Sequence, residues 1–212
     1  MSPADVRQPR AFSTVLEELG TAGGPTLHVA DMVQAFGHRG LGAVMLLIAL
    51  INLFPWPPGG TTFVGFPLLL ISLQLVVARQ GVWLPRGILQ VGLSREGYRK
   101  GLSRFLPAIR FAERLTRPRW GFLSNAGAKV LIGLVSFVLS CVLVLPVPGG
   151  NLLPAATMSL FALGLMQRDG VAILLGWLAA AASFGALVLA WSVIKAAFLH
   201  AWNYGTQLIG TG

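Results

Sequence analysis

One cysteine, Cys141, and three histidines in 212 residues exclude a disulfide-stapled scaffold. His28, His38, His200 and Cys141 fall at no zinc-ligand spacing, so no metal is expected. Charge is scarce as well. Charged side chains make up 11% of the chain, under half of the roughly 25% typical of a soluble domain, too few to solvate a globular surface. Acids are the rarest, seven against sixteen Lys and Arg. Residues 40–78, 130–167, 170–194 and 196–212 contain no Asp, Glu, Lys or Arg. The apolar runs hold no His, Asp or Glu, so a nucleophile with its base has no place in them, and a protein that is neither an enzyme nor a cofactor carrier is expected. Hydrophobic residues are 55% of the chain and its mean hydropathy is +0.73, which excludes disorder. The net charge of +9 would suit a nucleic-acid binder, but the hydropathy does not, and no nucleic-acid partner is expected. What fits is an integral membrane protein of all-α class.

The charge that exists sits in islands. Residues 1–39 carry Arg7, Arg10 and Arg39 against Asp5, Glu17, Glu18 and Asp31. Residues 79–129 carry eleven Lys and Arg against Glu96 and Glu113, a net of +9 that equals the charge of the whole chain. Short basic loops stay in the cytoplasm, so this segment and the N-terminus, which shows no secretory h-region, are placed there. Residues 1–39 read as two short amphipathic helices. Thr14 with Glu17 suggests a capping box for the first and Thr26 a cap for the second, with Thr21-Ala22-Gly23-Gly24-Pro25 as the turn between. In 81–128, Ser94 caps a helix to Leu106 and Pro107 starts another. Their cations Arg95, Arg99, Lys100, Arg104, Arg110, Arg114 and Arg117 form stripes suited to anionic lipid headgroups of the inner leaflet. The plain alternative is that such a loop only orients the chain. For Glu113 and Asp169, each beside arginines, the plain reading is an ion pair at the interface.

The apolar remainder repeats a plan. Gly40 to Phe54 is apolar, Pro55-Trp56-Pro57-Pro58-Gly59-Gly60-Thr61-Thr62 breaks it, and a second run reaches Ala78. Val130 to Leu145 is apolar, Pro146-Val147-Pro148-Gly149-Gly150-Asn151 breaks it, and Leu152 to Met166 follows. Pro58-Gly59-Gly60 and Pro148-Gly149-Gly150 stand 90 residues apart, Arg79-x-Gly81-Val82 and Arg168-x-Gly170-Val171 stand 89 apart. The expectation is a duplicated, Pro-Gly-broken membrane hairpin, 40–80 and 129–169, followed by a transmembrane helix over 170–199 and a tail, 200–212. The four hairpin arms reach about 22–27 Å, short of the roughly 30 Å hydrocarbon core, so each hairpin either re-enters or spans a thinned bilayer. Non-helical backbone at that depth must be packed in protein or face water.

The stretches Leu50-Ile51-Asn52-Leu53-Phe54-Pro55-Trp56-Pro57-Pro58-Gly59-Gly60-Thr61, Gly65-Phe66-Pro67-Leu68-Leu69-Leu70 with Gln74, and Trp83-Leu84-Pro85-Arg86 resemble the ExoD family of bacterial inner-membrane proteins. So do Leu145-Pro146-Val147-Pro148-Gly149-Gly150-Asn151-Leu152-Leu153-Pro154 and Ala162-Leu163-Gly164-Leu165-Met166-Gln167-Arg168-Asp169-Gly170. The resemblance implies a place in the bacterial inner membrane and a part in exopolysaccharide synthesis, with the exopolysaccharide machinery as partner. It carries over no catalytic residue.

Two functions are compatible with these residues. The first is a transporter or flippase of a polar, anionic or lipid-linked solute at the paired breaks. Its site would draw on Asn52, Pro57, Pro58, Gly59, Gly60, Thr61, Thr62, Pro148, Gly149, Gly150 and Asn151, with polar groups at the hairpin feet, Gln74, Arg79, Gln167, Arg168 and Asp169. Thr61, Thr62 and Asn151 are placed to cap the outgoing helices, whose N-termini favour negative charge. The plain alternative is a tight turn whose asparagines satisfy freed backbone groups. The second function is a non-catalytic scaffold or regulator docking through the basic surface. A membrane enzyme is the weakest reading. Small residues at four-residue spacing in 179–186 suit close helix contact, within the monomer or in an expected homodimer.

Overall fold

The protein is described by a computed structural model over residues 11–36, 40–53, 60–79, 81–116, 120–144 and 151–210. The breaks at 54–59 and 145–150, and with them Pro57, Pro58, Gly59, Pro148, Gly149 and Gly150, lie outside the described residues, as does Arg117.

The first helix, α1 (Phe12–Thr21), starts before the expected Thr14 cap. Its opening amide is held from outside: Ser13 donates its N–H to Glu113 at 3.0 Å and its hydroxyl at 2.5 Å. Glu17, freed from any capping box, pairs with Arg110 at 2.6 Å. Thr26 lies in a short strand, β1 (Thr26–His28), rather than capping a helix. The second helix, α2 (Val29–Phe36), follows at once, and Asp31 accepts the His28 N–H at 2.9 Å. Strand β1 pairs antiparallel with a second short strand, Gly92–Ser94 (β2), Leu27 opposite Leu93. This two-stranded sheet is an addition to the expected all-α class. Three-residue strands carry almost no periodicity, and tertiary pairing decides them.

Ser94 does cap the next long helix: its Oγ accepts the Gly97 N–H at 3.2 Å. A one-turn helix precedes it, α5 (Arg86–Leu89), and the long one is α6 (Arg95–Leu115). It runs through Pro107 instead of restarting there. The proline lies on the solvent side, where water can serve the Ser103 carbonyl, and the buried stripe continues across it from Tyr98, Leu102 and Phe105 to Ile109 and Ala112. That stripe packs on α1. The apolar face expected to lie on the inner leaflet is thus covered by the chain's own N-terminal helix, and 12–36 with 86–115 form one layer.

Arg95 fastens this layer. Its guanidinium donates to the carbonyls of Gly24 at 2.6 Å, Thr26 at 3.4 Å and Leu19. Gly23, at φ +95°, lies against it, and a Cβ there would meet Arg95 Nη2 at 2.9 Å. Tyr98 donates to the Leu16 carbonyl at 3.1 Å. Burial pushes its hydroxyl pKa up, against a smaller lowering by Arg95, so it stays a neutral donor.

Four apolar helices form the second layer: α3 (Gly40–Asn52), α4 (Gly60–Val76), α7 (Ala126–Val144) and α8 (Leu152–Gln167). A 3-10 turn at Gly121–Ser124 precedes α7, which Asn125 caps by accepting the Ala128 N–H at 2.8 Å, four residues ahead of the expected run. The helices pack in a ring: α3 on α4, α4 on α7, α7 on α8 and α8 on α3. Close approach at glycine sets two contacts. A Cβ on Gly133 would meet the backbone of Leu75 and Val76 within 2.9 Å, and one on Gly42 would meet the Ala162 carbonyl at 3.4 Å. Early α7 therefore lies against late α4, and early α3 against late α8. Both pairs are antiparallel, and both hairpin tips point the same way.

The last helix, α9 (Gly170–Gly210), does not end near 199 as expected but continues as one helix of 41 residues. Asp169 Oδ1 accepts the Val171 N–H at 2.9 Å and caps it. Its first half lies along α8, with Phe161 edge-on to Trp177 at 5.4 Å and Thr157 bonded to Ser183 at 3.1 Å. Among the described residues two stretches, Ala126–Val144 and Gly170–His200, are long and apolar enough to cross a membrane, and no more than about a third of either is buried inside the protein. Leu131, Leu134, Leu174, Leu178, Val188 and Leu189 are exposed. A soluble core helix would bury such residues, and lipid would not penalise their exposure.

Candidate functional site

Antiparallel packing brings the ends of α3 and α7 and the starts of α4 and α8 to one end of the bundle. Thr62 ties the two hairpins there, its hydroxyl donating to the Val144 carbonyl at 2.8 Å. It bonds across to α7 instead of capping α4, because α4 already begins at Gly60 and Thr62 lies within its first turn. Gly65 closes the same seam, a Cβ there meeting Leu143 at 3.4 Å.

Asn52 and Asn151 both belong to this end. Asn52 is 2% exposed and donates its amide to the Ile48 carbonyl at 2.9 Å. That acceptor fixes the amide's orientation and leaves Oδ1 pointing elsewhere, buried and without a hydrogen-bond partner. Asn151 Oδ1 is also buried and without a partner. Asn151 precedes α8 with helical backbone angles, φ −87° and ψ −18°, and its side chain makes no cap bond. An Ncap side chain reaches back to the helix amides from extended backbone, so helical angles turn it away. Pro154 removes one donor from the first turn of α8. Leu152 and Leu153 keep theirs, and both residues are exposed. The tip end therefore holds two buried amide oxygens without a hydrogen-bond partner. An orphaned buried carbonyl oxygen costs about 1–3 kcal/mol, so each is a place where a hydroxyl, ammonium or water would be bound.

The other polar groups of the apolar helices are largely satisfied within their own helices. Ser72 and Ser140 lie 3.3 Å apart and each also donates to a carbonyl three residues back. Thr157, Ser159 and Ser183 donate to carbonyls four back. Ser136 is fully buried with Oγ unpaired, a position the sequence did not single out.

At the opposite end, the feet turn alike. Ala78 and Arg168 both sit at φ 53°, in the left-handed region. The Arg79 N–H bonds the Gln74 carbonyl at 3.0 Å, and the Asp169 N–H bonds the Gly164 carbonyl at 2.9 Å. The matched positions stand 90 residues apart, so the foot aligns Ala78 with Arg168 and not Arg79 with Arg168. Gln74 is 7% exposed. Its Oε1 accepts the Trp83 N–H at 2.5 Å, and its Nε2 donates to the Trp83 carbonyl at 2.6 Å and the Leu70 carbonyl at 3.0 Å. Asp169, 3% exposed, caps α9. Gln167 is half-buried and Arg168 exposed.

Of the basic side chains expected at lipid headgroups, Arg95 is taken up by carbonyls and Arg110 by Glu17. Arg99, Lys100, Arg104 and Arg114 are exposed. Glu113 holds Ser13 in place of an interface ion pair, because the start of α1 presents N–H and O–H donors against it.

A family model described as "Exopolysaccharide synthesis, ExoD" matches residues 12–189. An uncharacterized protein of Synechocystis sp. is 27% identical over 150 residues, covering 70% of this chain and 71% of its own. The protein named ExoD of Rhizobium meliloti is 29% identical over 159 residues, covering 73% of this chain and 66% of its own. About a third of the latter therefore lies outside the match. No solved structure matches this chain.

Proposed function

The chain belongs to the ExoD family of exopolysaccharide synthesis, and from that premise we propose that it is a multi-pass inner-membrane protein that passes or flips a hydroxyl-bearing solute, free or lipid-linked, at the shared tip end of two duplicated hairpins. The observation that carries this reading is the pair of buried, partnerless amide oxygens on Asn52 and Asn151. Unpaired acceptors call for donors, and helix N-termini such as the starts of α4 and α8 favour acceptors. A sugar hydroxyl is both. The duplication is supported by the shared φ of Ala78 and Arg168 and by the ring in which α4–α7 and α8–α3 are matching contacts. Duplicated, broken helices are the architecture in which transport sites recur. In this reading the shorter arms α3, α4 and α8 re-enter or meet a thinned bilayer, α7 and α9 are long enough to span it, and α9 offers its exposed face to a second copy.

Exopolysaccharide output of a host lacking its own family member, restored with this chain, tests the proposal. Asn52→Leu and Asn151→Leu keep the number and branching of side-chain heavy atoms and remove the acceptors. Output should fall at least tenfold while the membrane-inserted amount stays at the wild-type level. Full output from both variants would sink it.

A second reading, a scaffold or regulator that docks partners of the polysaccharide machinery on a basic face, is favoured by the exposed Lys100, Arg104 and Arg114 on the outer side of α6. Charge reversal at those three positions would then abolish output while the asparagine variants keep it.

A further inference from the structure

The foot of the first hairpin opens into a groove of about 200 Å³ lined by Leu70, Leu73, Gln74, Val77, Arg79 and Trp83. We propose that it seats one acidic phospholipid, an acyl chain against the apolar wall and the headgroup phosphate at Arg79. The groove lies at the end of the bundle opposite the tips, and the inference rests only on the membrane placement proposed above.

Three observations point to this occupant. The first is amphiphilic order. Leu73 and Val77 are exposed on an otherwise uncharged helix, and the cation follows directly, at the left-handed turn where α4 ends. Trp83, 53% exposed, stands beside it as an indole does at a membrane boundary. The Gln74 amide is bonded to Trp83 and Leu70, so it places no unmet polar demand on the wall.

The second is charge. Arg79 opens the segment that carries the net charge of the whole chain, and no Asp or Glu occurs between Asp31 and Glu96. Its own hairpin supplies no carboxylate to neutralise it.

The third is the matching place in the second hairpin. Gly164 stands there where Gln74 stands in the first, and α9 packs onto it, Ile173 lying 2.6 Å from where a Cβ would be. The chain covers that face with an apolar helix. On the first hairpin 81–85 form no regular element, and the face stays open to an apolar occupant from outside.

The test uses the purified full chain in phosphatidylcholine nanodiscs doped with phosphatidylglycerol brominated on its acyl chains. The Trp83 signal is the difference between wild type and Trp83→Phe. Brominated phosphatidylglycerol should quench it at a low mole fraction, at which brominated phosphatidylcholine leaves it bright. Arg79→Gln should raise the half-quenching fraction about fivefold, the factor carried by one basic side chain at an anionic surface. Leu73→Phe, which narrows the groove and keeps the charge, should raise it too. Equal quenching by the two lipids, or no shift in either variant, overturns the proposal. Loss of quenching on adding inorganic phosphate overturns it in favour of a free-anion site. None of these outcomes depends on Asn52 or Asn151.

Discussion

At the foot of the first hairpin, Gln74 turns its amide onto the backbone of Trp83 and pins an irregular segment beside α4. At the foot of the second, Gly164 has no side chain, and α9 comes down on its backbone. The turns before these two outcomes share their φ and their hydrogen bond. One residue separates them in kind. A long polar side chain holds the following chain at arm's length, whereas a bare Cα lets a helix pack against it. The first choice leaves a groove and leads into the basic layer. The second closes the face and launches a helix of 41 residues.

The comparison can be broken hardest by exchanging the deciding residue. Gly164→Gln places a Cβ within 2.9 Å of Ile173 backbone and side chain. Overpacking of this kind costs about 3 kcal/mol or more when backbone is in the way. Thermal unfolding in detergent should show a markedly lower midpoint, or the protein should fail to accumulate. A midpoint equal to wild type would mean that α9 does not depend on that contact. Gln74→Leu is the reciprocal change. It strips the Trp83 N–H and C=O of their partners near the surface, at a cost of about 1–2 kcal/mol. Hydrogen exchange over 81–85 should quicken while exchange in α8 and α9 does not, and unchanged protection would mean that something other than Gln74 holds the segment. The smallest effect sharpens the likeness of the two turns. Ala78→Gly and Arg168→Gly each relieve a left-handed backbone and should stabilise by about 0.5–1 kcal/mol. Gains of similar size at both feet would support equivalent turns, and opposite signs would argue against them.

The apolar helices could be read from sequence because apolar length is a local property. Four charge-free runs became helices within a few residues of their expected bounds, the fifth ran on past its expected end, and Ser94 capped its helix as read. The layer formed by 12–36 and 86–115 was harder. Whether Glu113 meets an arginine or Ser13, and whether Arg95 faces lipid or three carbonyls, depends on partners 69 to 100 residues away. Spacing along the chain holds no record of them. Pro107 misled for a related reason. A helix tolerates a proline when the freed carbonyl faces water and packing continues on the far side, and only the fold reveals that packing.

At the tip end, Asn52 and Asn151 could be picked out because asparagine is rare in apolar runs. Sequence could not say whether their amides would be satisfied. Asn52 uses only its donor, on Ile48, and the Asn151 side chain turns away from its helix.

The sequence by itself determined the helical class, the places where the helices break, the island that holds the charge, and the family. These follow from composition and short-range pattern, which any conformation of the chain retains. The tertiary structure decided which ends meet, which cations are taken up by carbonyls or a carboxylate, which amide oxygens are left unpaired, and that one foot is closed while the other stays open. Those depend on close approach between residues far apart in the chain, set by bare glycine at Gly42, Gly133 and Gly164 and by the reach of single side chains such as Gln74 and Arg95.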